Sequence, residues 1–75
     1  MNTAVLRSER ILAEKSTKEL AKVIDKSEDA YRKKERGDVQ FTLGESARIA
    51  IALGLSFDKF NVIFYDGRLP YGNPT

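Results

Sequence analysis

Hydrophobic positions spaced three and four residues apart predict five helices and no strand along this chain. The first helix is predicted from about Thr3 to Glu14, where an apolar triplet repeats after seven residues and indicates one broad buried stripe. The stripe consists of Ala4, Val5, Leu6, Ile11, Leu12 and Ala13. Two glycines and two prolines lie in residues 67–75, which are predicted to form a short irregular tail after a single domain of residues 1–66.

Residues 16–37 are predicted to form two short helices joined by a tight turn. The apolar residues of the first of these helices share one face and are Leu20, Val23 and Ile24. Asp25 tolerates the left-handed conformation of a turn, and Ser27 is a good N-cap for the second helix. Gly37 is the usual kind of residue one step beyond a helix end. This arrangement is the outline of a DNA-reading helix-turn-helix, here at about residues 17–36.

Two more helices are predicted after this pair. Thr42 and Glu45 have the spacing of a capping box, so the fourth helix is expected to open at Thr42. Gly54 ends this helix, whose buried positions are expected to be Ile49, Ala50 and Leu53. The fifth helix is expected after Ser56, with an inward face that closes a small core and consists of Phe57, Phe60, Ile63 and Phe64.

In the order and spacing of its segments the chain resembles the Cro and phage-repressor type of helix-turn-helix regulators, the Xre family. The resemblance covers most of the chain and is carried by LRSER (residues 6–10), STKELA (16–21), the capping Ser27, AYRKKERG (30–37), FTLGESARIAIALGLS (41–56) and IFYD (63–66). It implies a compact all-α fold of five helices, like the lambda-repressor DNA-binding domain. It also implies a sequence-specific transcriptional regulator of phage or prophage origin that binds double-stranded DNA.

Composition narrows the classes of protein further. In a chain of 75 residues the core is small and dimerisation would extend it, while 41% hydrophobic and 32% charged residues indicate a globular fold. No cysteine and no histidine are present, which excludes a disulfide scaffold and removes the commonest metal ligands and general base. No phosphate loop or partnered nucleophile occurs either. We therefore expect no enzymatic activity, cofactor, metal or small-molecule substrate, and, without a signal peptide or membrane span, a cytoplasmic protein.

The net charge of +2 is concentrated in one short segment. Residues 26–36 hold five bases and three acids, which accounts for the whole excess. The bases are Lys26, Arg32, Lys33, Lys34 and Arg36, and the acids are Glu28, Asp29 and Glu35. In an arbitrary small domain such a run is most often a solvated helix face. Within a helix-turn-helix it indicates the surface that meets DNA.

The resemblance also implies roles for individual residues. Arg10 and Glu35 match an arginine and a glutamate that form a buried ion pair in the family, and a planar guanidinium can bond a carboxylate through two hydrogen bonds. The alternative is two independent surface charges, and the resemblance favours the pair. Tyr31 occupies a position that is apolar in the family, so it is expected in the core rather than stacked on a base. By the family's docking geometry the third helix lies in the major groove. The expected DNA-binding residues are Thr17, Lys18, Ser27, Glu28, Asp29, Arg32, Lys33, Arg36 and Thr42.

Arg32 is the best candidate for a guanine contact, because its planar fork can meet O6 and N7 together, whereas Lys33 and Arg36 are expected to hold phosphates. Glu28 and Asp29 could accept hydrogen bonds from cytosine N4. Alternatively, they act within the helix by favouring its positive end and pairing with the bases four residues on. This second role is the favoured one, and it would lower the affinity for DNA.

A second class of function uses the same fold to bind protein. Small phage proteins that resemble this chain include antirepressors, which bind a partner repressor and alter its operator choice. Ile51 supports such an interface because the family position is usually polar, and Val62 and Tyr65 are expected beside the fifth helix, although incidental exposure explains all three equally simply. A homodimer would use the same surface, and the sequence does not separate it from a heteromer. A toxin-neutralising adaptor is a third hypothesis, without a motif of its own.

Overall fold

Five α-helices make up the regular structure of residues 1–70, the part of the chain that the computed structural model describes. They are α1 (Thr3–Leu12), α2 (Thr17–Val23), α3 (Glu28–Arg36), α4 (Leu43–Leu53) and α5 (Phe57–Tyr65), and no strand occurs within residues 1–70. The predicted all-α fold is therefore confirmed. The end of α1 is the main difference, since Glu14 has a φ of 57° and lies outside the helix that was predicted to include it.

Each helix begins at a polar residue whose side chain accepts a hydrogen bond from the backbone N–H three residues later. These N-caps are Asn2, Ser16, Ser27, Thr42 and Ser56. At two of them, Ser16 and Thr42, a glutamate also accepts a hydrogen bond from the backbone N–H of the cap. The capping box predicted for Thr42 is thus confirmed. These local bonds fix where α3 and α4 start and so determine which of their residues point outward.

The connection between α2 and α3 depends on one left-handed residue. Asp25 has a φ of 56°, as its residue type predicts, and the N–H of Lys26 donates to the carbonyl of Ala21 at 3.0 Å. Ser27 then caps α3 directly. At the far end of α3, Gly37 has a φ of 89°, which ends the helix where the sequence predicts. Of all the helix pairs, α2 and α3 share the most extensive contact.

The hydrophobic core takes at least one side chain from every helix. Its fully buried members are Leu6, Leu20, Ala21, Ile24, Tyr31, Ile49 and Ile63. Phe41 and Phe64 pack against this cluster with their rings 5.4 Å apart and perpendicular, while Tyr31 meets Phe41 edge to face. The expectation that Tyr31 belongs to the core is confirmed, and the predicted aromatic closure by α5 is confirmed for Phe64.

Two predicted buried faces are wrong in part. On α1 only Leu6 is fully buried, whereas Leu12 is 76% exposed and Ile11 and Ala4 are also exposed. On α5 the side chain of Phe57 is 48% exposed. Helical spacing identifies residues that share a face, but a residue is buried only where another element covers that face, and α3 and α5 do not cover all of the apolar residues of α1.

Buried polar groups add two links that the apolar pattern did not predict. Lys34 is buried between α3 and α4, where its Nζ lies 3.0 Å from Oε1 of Glu45 and donates to the carbonyl of Gln40 at 3.0 Å. Asn61 is fully buried in α5, and its amide exchanges two hydrogen bonds with the backbone of Leu69. The predicted tail is therefore tied to α5 as far as Leu69, and its residues 71–75 lie outside the described part of the chain.

Candidate nucleic-acid interface

The two sides of α3 have different chemistry. Tyr31, Lys34 and Glu35 face the interior, so the helical repeat turns Asp29, Arg32, Lys33 and Arg36 outward. The outward residues are all charged. This side of α3 is therefore a hydrophilic surface that no other helix covers.

An ion pair with two hydrogen bonds fixes the inner side of α3 to α1. Arg10 donates from Nε to Oε2 of Glu35 at 2.8 Å and from a terminal nitrogen to Oε1 at 3.1 Å, and both side chains are largely buried. The hydroxyl of Tyr31 donates to the same carboxylate at 2.7 Å. The pair implied by the resemblance is thus present, and its role is structural because neither charge is left free to bind a ligand.

This cluster shifts the protonation equilibria of its members. The hydrogen bond to Glu35 raises the pKa of the Arg10 guanidinium, although burial opposes the shift. Burial raises the pKa of the Tyr31 hydroxyl above the ordinary value for tyrosine, and the hydrogen bond to Glu35 raises it further. Arg10 therefore stays charged and Tyr31 stays neutral, which keeps the attachment of α3 intact at neutral pH.

Every base on the outer side of α3 has an acidic neighbour. Arg32 lies 3.0 Å from Glu28, Lys33 lies 3.3 Å from Asp29, and Arg36 lies 3.1 Å from Asp38. The first two are the pairs four residues apart that the sequence predicts, whereas the pair of Arg36 with Asp38 lies outside that pattern. Exposed pairs of this kind contribute only about 0.3–0.5 kcal/mol each, so a phosphate can displace the acid at small cost.

Lys34 requires a correction to the interpretation of the charged segment. The sequence predicts it as one of the exposed bases of residues 26–36, but it is only 8% exposed and is paired with Glu45. Burial alone would raise the pKa of Glu45, but hydrogen bonds from the Thr42 backbone and from Lys34 outweigh burial and lower it. Glu35 is likewise buried, so the removal of one base and one acid leaves the positive excess of residues 26–36 unchanged.

The remaining candidate DNA contacts fall into two places. Thr17 lies beside the start of α3, where its hydroxyl donates to Oε2 of Glu28 at 2.6 Å. Lys18 is exposed in the next position, and Ser27 caps α3. The hydrogen bonds of Thr42 within residues 1–70 all stay in the first turn of α4. The structure thus links Thr17, Glu28 and Arg32 through hydrogen bonds, while Thr42 bonds only within the start of its own helix.

The three candidate interface residues differ in exposure. Ile51 is 82% exposed on α4, and Val62 is exposed on α5. Tyr65 is half-buried, with its ring 5.5 Å from that of Phe60. Leu43, which the sequence did not single out, is also exposed on α4. Ile51 is therefore the strongest of the three candidates for a contact with another chain.

Residues 1–70 contain no cluster of acidic side chains, histidines or cysteines that could hold a metal ion. None of the helices in the same range is long and apolar enough to cross a membrane. Comparisons with protein-family models, with curated proteins and with solved structures find no match to this chain.

Proposed function

We propose that this chain is a sequence-specific DNA-binding regulator of transcription, of Cro or repressor type and of phage or prophage origin. In this proposal α2 and α3 form a helix-turn-helix, and α3 enters the major groove. The observation that carries the proposal is the arrangement of α3, whose inner side is fixed by Arg10 and Lys34 bonds while its outer side presents only charged residues. A recognition helix requires this combination, because base readout depends on side chains held in a fixed register.

Base recognition is assigned to Arg32. Its contact with Glu28 uses one terminal nitrogen, and the guanidinium has further N–H donors that can meet O6 and N7 of a guanine. Lys33 and Arg36 would hold phosphates after exchanging their acidic neighbours for the DNA backbone, and Lys18 is exposed for a similar contact. Ser27 and Thr42 have hydroxyls at helix starts, where a backbone phosphate is favoured.

A test of this proposal begins with selection of bound duplexes from a random DNA pool, followed by titration of the best duplex near physiological salt. Arg32→Ala should lose about 1–3 kcal/mol of preference for the selected sequence, whereas Lys33→Ala should weaken binding to all sequences and flatten the salt dependence. Absence of any specific complex at micromolar protein would overturn the proposal.

An antirepressor that binds a partner repressor is the second candidate. The observation that favours it is the large exposure of Ile51, combined with the acidic neighbours that reduce the positive charge of α3. In that case the wild type binds DNA only weakly and without sequence preference. Capture of a helix-turn-helix repressor from the native host by the wild type, and its loss with Ile51→Glu, would support this second function over the first.

A further inference from the structure

A groove of about 660 Å³ runs between α1 and α3 and is rich in arginine. Arg7 stands on its α1 side, next to the small residues Thr3 and Ala4, while Arg32 and Arg36 stand on its α3 side. Because Arg32 and Arg36 also belong to the outer side of α3, the groove borders the surface that is proposed to meet DNA. Its position makes it a candidate extension of that surface.

The two acids that line the groove are already paired with arginines. Both oxygens of Glu35 accept hydrogen bonds from Arg10, so the charges of these two residues cancel within the groove. Asp38 is the other acid of the groove, and it contacts Arg36. The groove therefore combines several guanidinium donors with carboxylates that are already engaged, which is the pattern expected for binding an anion with several oxygen acceptors.

Arg7 differs from the other arginines of the groove. Arg10, Arg32 and Arg36 each have a carboxylate partner, whereas Arg7 makes no ion pair and no side-chain hydrogen bond within residues 1–70. Its planar fork of N–H donors is therefore fully available. An exposed arginine with no protein partner, held across from two others by a helix that is itself fixed to α3, is well placed to receive a phosphate.

We propose that the groove between α1 and α3 holds one phosphodiester group of the bound DNA and that Arg7 is its main ligand. The inference rests on the proposed DNA-binding function and adds to it a contact from α1. Arg32 and Arg36 of the outer side of α3 line the groove, so a DNA backbone bound in it would lie next to the major groove that α3 is proposed to occupy. Arg36 flanks the same phosphate and helps to neutralise it, while Arg32 keeps the guanine contact proposed above.

The test compares Arg7→Gln with Arg48→Gln, which removes the same charge from an exposed position of α4 outside the groove. Loss of one phosphate contact should reduce the salt slope of binding by about 0.9 and lower the affinity about fivefold near 0.15 M salt. Arg7→Lys should retain the slope because it retains the charge. Arg48→Gln should match the wild type, and circular dichroism should show unchanged helicity in all variants.

A second measurement locates the phosphate by replacing single DNA linkages with uncharged methylphosphonates. One linkage should cost the wild type and Arg48→Gln about fivefold in affinity, yet cost Arg7→Gln almost nothing, because the contact is already lost. If no linkage shows this behaviour, Arg7 acts only as a distant charge and the groove assignment fails.

The remaining outcomes separate this inference from the proposed function. If the wild type binds DNA and Arg7→Gln binds equally well, the groove proposal is overturned while the proposed function stands. If the wild type binds no duplex, both are overturned. Titration with inorganic phosphate, followed by the Arg7 side-chain NMR signal, addresses a free anion as the ligand. Saturation of that signal by phosphate, with no effect of Arg7→Gln on DNA binding, would identify free phosphate instead of DNA as the ligand of the groove.

Discussion

Glu35 is the residue on which the attachment of α3 depends most. Its carboxylate accepts hydrogen bonds from Arg10 and from Tyr31 while it is largely buried. Glu35→Ala should lower the free energy of unfolding by about 3–5 kcal/mol, because it leaves the Arg10 guanidinium buried without a counter-charge. The loss should appear in urea unfolding followed by circular dichroism.

The matched control for this prediction is Asp38→Ala, which removes the acid of an exposed pair with Arg36. It should change the free energy of unfolding by less than about 0.5 kcal/mol. Equal stability of Glu35→Ala and Asp38→Ala would mean that the pair with Arg10 contributes no more than a surface contact, contrary to its burial.

Tyr31 makes stability sensitive to alkaline pH. Its pKa is raised in the folded protein by burial and by the hydrogen bond to Glu35, so the unfolded chain ionises first, near the ordinary tyrosine pKa of 10.0. The stabilisation is therefore complete below pH 10 and is lost as pH rises towards the folded pKa, by up to about 1.4 kcal/mol per pH unit. Tyr31→Phe should remove this part of the decline.

Two comparisons isolate the contribution of Tyr31. At neutral pH, Tyr31→Phe should cost about 1.5–3 kcal/mol, since it removes a hydrogen bond to a charged group. Tyr65→Phe is the control, because the hydroxyl of Tyr65 has no hydrogen-bond partner within residues 1–70. Parallel stability profiles of the wild type and Tyr31→Phe between pH 8 and pH 11 would contradict the prediction.

At the scale of single residues, local signals could be predicted from the sequence and distant partners could not. Ser27, Thr42 and Gly37 act on backbone groups a few residues away, so their residue types are sufficient to predict caps and ends. Lys34 and Asn61 are buried because partners from other segments satisfy them. In the sequence Lys34 is indistinguishable from the exposed bases beside it. In the structure its contacts with Glu45 of α4 and with the carbonyl of Gln40 distinguish it from them.

At the scale of elements, α3 carries two opposing features. Its outer side has bases suited to DNA, while Glu28 and Asp29 in its first turn carry charge that repels phosphate. These acids also stabilise the helix, through its positive end and through their pairs with Arg32 and Lys33. The element is therefore a compromise between helix stability and DNA affinity.

A variant that neutralises both acids should gain DNA affinity and lose helix stability. Glu28→Gln with Asp29→Asn should tighten DNA binding and steepen its salt dependence, because two negative charges leave the contact surface. The same variant should be less stable by about 0.5–2 kcal/mol, since both charges lie at the positive end of α3. DNA titrations at several salt concentrations, together with thermal unfolding, measure the two effects. An unchanged or weaker affinity would show that the acids contact bases or lie outside the interface.

The spacing of apolar residues along a helix is an insufficient guide to which of them are buried. The spacing of apolar residues correctly predicted five helices and the burial of Leu6 and Ile49, yet it also predicted burial of Leu12 and Phe57. Hydrophobic spacing is set within one helix, whereas burial requires a second helix to lie against it. In a chain this short there are too few helices to cover every apolar face.

At the scale of the whole molecule, the small core leaves several large apolar side chains exposed, among them Leu12 on α1 and Ile51 on α4. Ile51 is the most exposed of the large apolar residues in residues 1–70, and it is also the one that the resemblance to helix-turn-helix regulators singles out. A regulator of the proposed kind reads paired half-sites as a dimer, and the same surface would serve the antirepressor by contacting a different protein.

Ile51→Glu tests whether this surface is an interface. The side chain is 82% exposed, so the substitution should leave helicity unchanged in the isolated chain. If Ile51 lies between two chains, a buried unpaired carboxylate should weaken their association at least tenfold, which analytical ultracentrifugation over a range of concentrations can measure. Leu12→Glu, at a 76% exposed position of α1, is the matched control and should associate like the wild type. The measurement is repeated with any partner captured from the host. Identical assembly of Ile51→Glu, Leu12→Glu and the wild type in both settings would make Ile51 an incidental surface residue and would remove the support that it gives to an interface.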